Sequence, residues 1–178
     1  MRIGIRTALL ALTLIVSSSS VLAAPAMQVL GKDFAFPNTL EGLPAKLSDF
    51  KALQINSFET SDGVKLSYWE AGSGKPLVFI PGWSANGAEF INVMYLLSKN
   101  YHVYVLDPRN QGLSQQVDYG TRITRFSADL KEFSEHLGLK SADYCGWSMG
   151  ASVLWGYIDL FGTKVSTLFY LFSHVTNP

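Results

Sequence analysis

Cysteine is almost missing from this sequence, net charge is missing altogether, and histidine is scarce. The one cysteine, Cys145, leaves no possibility of a disulfide within the chain. Lys and Arg number 14 and Asp and Glu 14, so there is no basic excess, and no basic run occurs either. That excludes the electrostatic footprint of a nucleic-acid partner. Long apolar runs are missing too. The apolar run Ala8–Val16, broken only by Thr13, is too short to span a bilayer comfortably. No internal repeat or low-complexity segment follows it.

What is there is ordinary globular material: 178 residues, 48% of them hydrophobic, enough for one domain. The N-terminus reads separately. Arg2 and Arg6 precede the apolar run, and Ala23-Ala24-Pro25-Ala26 follows it. A positive start, a short apolar core and small residues at the end make a secretory signal peptide. Cleavage after Ala23 or Ala26 is expected, because Pro25 disfavours a cut after Ala24. Residues 1–23 are therefore read as a signal, 24–50 as a lead-in arm broken by Pro37, Gly42 and Pro44, and 51–178 as the domain. The mature protein is expected outside the cytoplasm, secreted or periplasmic, without a stable membrane span.

From Leu53 the pattern alternates. Leu53–Glu59 and Val64–Ala71 flank Ser61-Asp62-Gly63 as a hairpin. Pro76–Ile80 is a continuous apolar strand, suited to a sheet covered on both faces. Phe90, Val93, Met94 and Leu97 give a helix over Glu89–Ser98, and Tyr101–Leu106 the next strand. Ile123, Phe126, Leu130, Phe133 and Leu137 recur at three and four residues, a helix stripe closed by Gly138. Ser141–Cys145 and Val165–Phe172 are two further strands, separated by a helix over Ala151–Phe161. Six strands with intervening helices predict an α/β fold with a mostly parallel sheet.

Gly146-Trp147-Ser148-Met149-Gly150 lies between strand and helix and has the form G-x-S-x-G. A serine on a tight strand-to-helix turn is a nucleophile elbow. The helix start behind it favours a developing negative charge. Alone the pattern is weak; its flanks make it informative. Cys145, at the end of the preceding strand, reads as a small core residue.

Three stretches together resemble the α/β-hydrolase superfamily, in its serine esterase and cofactor-free haloperoxidase-like branch. Ile80-Pro81-Gly82-Trp83-Ser84 is similar to the family's His-Gly oxyanion loop, with Pro81 in place of the usual His. Asp107-Pro108-Arg109-Asn110-Gln111-Gly112-Leu113-Ser114 is similar to its D-x-R-G-x-G-x-S loop, and Gly146–Gly150 to its elbow. The resemblance covers about residues 51–173, the N-terminal part of that fold, about six of eight strands. It implies Ser148 as nucleophile and the N–H groups of Met149 and Trp83 as oxyanion donors. It also implies loop-organising roles for Asp107, Arg109 and Asn110, no cofactor or metal, and a small apolar ester as substrate. Relatives that hydrolyse epoxides or dehalogenate carry an aspartate where Ser148 stands.

The resemblance places the catalytic acid and histidine after later strands, beyond Pro178, so the sequence reads as shortened before both. Of the histidines present, His102 reads as structural and His136 as a helix-end residue. His174, near the carboxyl end of the last strand, is the one candidate base. The expected activity is acyl-transfer ester hydrolysis. The alternatives are perhydrolase or haloperoxidase-like chemistry on the same serine, and an inactive fragment or ligand-binding pseudoenzyme. Oligomeric state is not set by the sequence.

Overall fold

The computed structural model describes residues 24–36, 40–162 and 165–171, the last stretch by its backbone alone. The expected strands are present: β2 (Gln54–Glu59), β3 (Lys65–Gly72), β4 (Lys75–Ile80), β5 (Tyr101–Leu106), β6 (Ala142–Trp147) and β7 (Val165–Leu171). They are preceded by a two-residue β1 (Ala24–Pro25) and a short α1 (Ala26–Leu30). The helices are α2 (Ile91–Leu97), α3 (Ile123–His136) and α4 (Met149–Phe161). The helix expected from Glu89 begins instead as a 3-10 turn over Gly87–Phe90, capped by the Asn86 side chain accepting from the Ala88 N–H. His174 lies outside the described residues.

The sheet runs β1-β2-β3-β5-β4-β6-β7. It is mixed. The strands that alternate with helices, β5, β4, β6 and β7, are parallel, whereas β1, β2 and β3 join antiparallel through the hairpin. β4, β5 and β6 bury both faces along most of their length, as continuous apolar runs such as that of β4 require. Leu77 and Phe79 join Val103 and Val105 on one side, packed with Phe90, Ile91 and Met94 from the α2 region. Val78 and Ile80 join Tyr104 and Leu106 on the other, under Phe126, Leu130 and Phe133 of α3 and Val153 and Leu154 of α4.

The lead-in arm contributes to this core. Ala26, Leu47 and Phe50 are buried against Leu53, Ile55 and Trp69. The chain leaves β4 for β5 on one side, then crosses to β6 on the other. Loops after β4 and β6 therefore diverge at the carboxyl edge, the switch point where an open α/β sheet forms its crevice.

Candidate active site

β6 ends at Trp147 and α4 begins at Met149, so one residue must turn the chain. Ser148 does so at φ 53°, ψ −117°, a region that L residues rarely occupy. The turn closes tightly because both flanks lack a Cβ. A Cβ at Gly146 would come 2.6 Å from the backbone of Gly150 and Ala151, and one at Gly150 would overlap the Ile80 carbonyl. Ser148 is exposed, and its side chain does not cap α4.

The loop after β4 lies against this elbow. A Cβ added at Gly82 would sit 3.2 Å from the Ser148 Cβ. From Gly82 the chain turns, with the Ala85 N–H donating to the Gly82 carbonyl at 3.2 Å. The Trp83 N–H has no backbone acceptor among the described residues. The Met149 N–H opens a helix and so lacks an intrahelical acceptor. The loop after β4 and the start of α4 thus meet at an exposed serine, and a developing oxyanion would need backbone donors of this kind.

The loop after β5 supports the first from behind. Asp107 is fully buried and accepts from the N–H groups of Gly87 (2.7 Å) and Leu113 (2.9 Å) and from the Trp69 indole (3.2 Å). Burial pushes its carboxyl above the ordinary carboxylate value, and the donors pull against that rise. Ser114 Oγ donates to the Asp107 carbonyl at 2.6 Å. The three donors to the Asp107 carboxylate come from the loops after β4 and β5 and from Trp69 of β3, so it organises loops.

Arg109 is buried as well. It grips Asp129 of α3 through Nε (2.7 Å) and Nη2 (2.6 Å), and Asp62 of the hairpin turn through Nη1 (3.0 Å) and Nη2 (3.2 Å). Its hydrogen bonds hold the Asp62 carboxyl down at about 2. Asn110, at φ 67°, binds Thr121 Oγ1 (2.9 Å) and the Val117 N–H (2.6 Å).

Between these two loops lies a cleft of about 460 Å³ lined by Trp83, Ser84, Arg109, Asn110, Gln111 and Gly112, with Thr121 at its margin. Size alone does not mark the site. A depression of about 510 Å³ lies over the antiparallel strands, among Ala24, Ile55, Ser67 and Gln115. Gln111 in the cleft was not singled out by the sequence. Both of its amide atoms are buried without a partner among the described residues. Nothing in the local pattern signals this, because burial there depends on loops far apart in the chain.

The described histidines are engaged elsewhere. His102 Nε2 meets Glu70 Oε2 at 2.9 Å, and its Nδ1 meets the Tyr104 hydroxyl at 2.9 Å. It sits at the amino end of β5, four residues or about 13 Å of strand from the carboxyl edge. His136, the last residue of α3, stacks on Phe58 at 5.2 Å between ring centroids, and burial lowers its pKa.

The sequence profile of the alpha/beta hydrolase fold matches residues 75–173. A non-heme haloperoxidase of Rhodococcus erythropolis is 31% identical over 103 residues, covering 57% of this chain and 38% of that one. A soluble epoxide hydrolase of Corynebacterium sp. (strain C12) is 33% identical over 92 residues, covering 52% of this chain and 32% of that one. An esterase structure from Exiguobacterium antarcticum superposes with a TM-score of 0.60 at 29% identity, over 65% of this chain and 44% of that one. The chain spans less than half the length of the curated relatives it matches.

Proposed function

Because the chain belongs to the alpha/beta hydrolase fold family, we propose that it is a serine hydrolase cleaving small, apolar carboxylic esters through an acyl-enzyme. The observation that carries this reading is Ser148 at φ 53°, exposed between two glycines that admit no side chain. Its Oγ attacks the ester carbonyl, and the carbonyl oxygen becomes an oxyanion held by the N–H groups of Met149 and Trp83. One such donor is worth about 2.7–4 kcal/mol of barrier. The alcohol leaves with a proton, and water then releases the acid. The proton from Oγ needs a base, which the family resemblance assigns, with its acid partner, to loops after later strands. Trp83 and Trp147 beside the serine suit an apolar acyl group. A signal peptide over residues 1–23 would export the protein to the periplasm or beyond.

The similar esterase of Exiguobacterium antarcticum supports the ester reading. The similar epoxide hydrolase does not extend its named activity here, since a serine forms an acyl ester where the family's epoxide hydrolases use an aspartate. The haloperoxidase of Rhodococcus erythropolis favours a second reading, perhydrolysis on the same serine. Assays with acetate and peroxide beside plain esters separate the two.

A fluorophosphonate probe tests the core of the proposal. It should label the protein once, at Ser148, and Ser148→Ala should lose both labelling and esterase turnover, the latter by about a millionfold in an intact enzyme. Equal labelling of Ser148→Ala would sink the reading.

A further inference from the structure

The lead-in arm forms one side of a cavity of about 450 Å³ that the proposed hydrolysis does not use. The arm supplies Phe34, Phe36 and Leu47 to its wall. Trp69 of β3, Ile91 of α2 and Leu113 of the loop after β5 face them. Phe34 and Leu113 are 40% and 43% exposed, so the apolar wall is open to a ligand from solvent. Its volume falls within the range of small-molecule sites, about 300–1,000 Å³.

The lining differs in kind from that of the other hollows. Glu59, Glu132 and Glu135 line the depression beside α3, and Arg109 the cleft beside Trp83. Here the polar side-chain atoms belong to Asn86 and the Trp69 indole. Asn86 Oδ1 accepts from the Ala88 N–H (2.9 Å), and the indole donates to Asp107 (3.2 Å). Such a wall favours an apolar chain. A cation stands at the rim: Lys32 Nζ lies over the Phe34 ring, 4.5 Å from its centre. The neighbouring Asp33 is turned away to Ser48, accepting from its N–H (2.8 Å) and Oγ (2.7 Å), and to Lys46 at 3.6 Å. An alkyl chain ending in a carboxylate matches wall and rim together.

We propose that this cavity is a binding site for a medium-chain carboxylate, whose alkyl chain lies between the arm and Trp69 while its head group pairs with Lys32. The site goes beyond the ester-hydrolase reading and does not depend on it, since binding needs neither Ser148 nor a base. Gly112 lines both this cavity and the cleft beside Trp83, so a single loop separates the two.

The test is isothermal titration calorimetry of the full chain with hexanoate, octanoate and octan-1-ol, each below its micelle concentration. One site should appear, tightening about fourfold per added methylene from hexanoate to octanoate. Ala35→Phe, at an exposed position of the wall, should fill the cavity and weaken octanoate about tenfold, the equivalent of two methylenes left in water. Lys32→Gln should weaken octanoate about threefold, as loss of an exposed ion pair does, and leave octan-1-ol unchanged. Should Ala35→Phe not fold, Leu113→Ser, at a second exposed wall position, should weaken both ligands instead. Absence of binding, a chain-length dependence untouched by the wall variants, or octanoate affinity unchanged in Lys32→Gln overturns the proposal.

Discussion

Whether Ser148 can be held at φ 53° is decided by its neighbours rather than by the serine. Such a conformation costs on the order of 1–3 kcal/mol, and it persists only while the chain closes tightly around it. Gly150→Ala puts a methyl group into the Ile80 carbonyl oxygen, and backbone cannot yield as a flexible side chain would. We expect that variant to lose about 3 kcal/mol or more, or to be insoluble, as read by denaturant unfolding. Ser148→Gly should do the opposite, raising stability by about 0.5–2 kcal/mol while abolishing labelling, because glycine takes positive φ at little cost. The G-x-S-x-G spacing, together with the strand before it and the helix after it, made Gly146, Ser148 and Gly150 legible in the sequence. Gln111 was not, since its lack of partners is a property of two loops brought together, with no trace in composition or period.

At the scale of elements, the loop after β5 is pinned by charge. Arg109 joins it to α3 and to the turn between β2 and β3, and Arg125 extends the cluster to Glu132, which accepts from Ser61. Asp62 titrates at about 2 in the folded chain against an ordinary 3.8, chiefly through its bonds to Arg109. A depressed carboxyl stabilises the fold above its unfolded pKa and loses that contribution as pH falls through the folded value. Asp62→Asn should therefore cost about 1–2 kcal/mol at pH 7, after allowance for its partial exposure. That gap should close between about pH 4 and 2, as followed by urea denaturation across pH. A gap independent of pH would show that packing, not charge, ties the hairpin down. The resemblance to a D-x-R-G loop was enough to read Arg109 as a brace. Its partners lie 20 and 47 residues away in sequence, separations at which no periodicity connects one residue to another.

For the molecule as a whole, the strand and helix pattern from Leu53 onward carried the fold because strands such as β4 and β5 carry apolar residues on both faces. The arm was opaque for the converse reason. Its buried residues, Ala26, Leu47 and Phe50, are too far apart to form a stripe, yet each fills a place against β2 and β3. Phe50 meets the Tyr95 ring edge-on at 5.2 Å. Phe50→Ala should cost about 3–5 kcal/mol, measurable by denaturant unfolding, and deleting residues 24–50 should expose that side of the core and leave the product insoluble. Cys145 offers a way to watch such changes from inside. It is buried on β6 three residues ahead of the elbow, and burial pushes its thiol up to about 11. A thiolate is the reactive form, so a maleimide should ignore the native protein and react only when β6 parts from its neighbours. The rate of that alkylation becomes a clock for the opening of the central sheet, read at one atom in a chain with no second thiol to blur it.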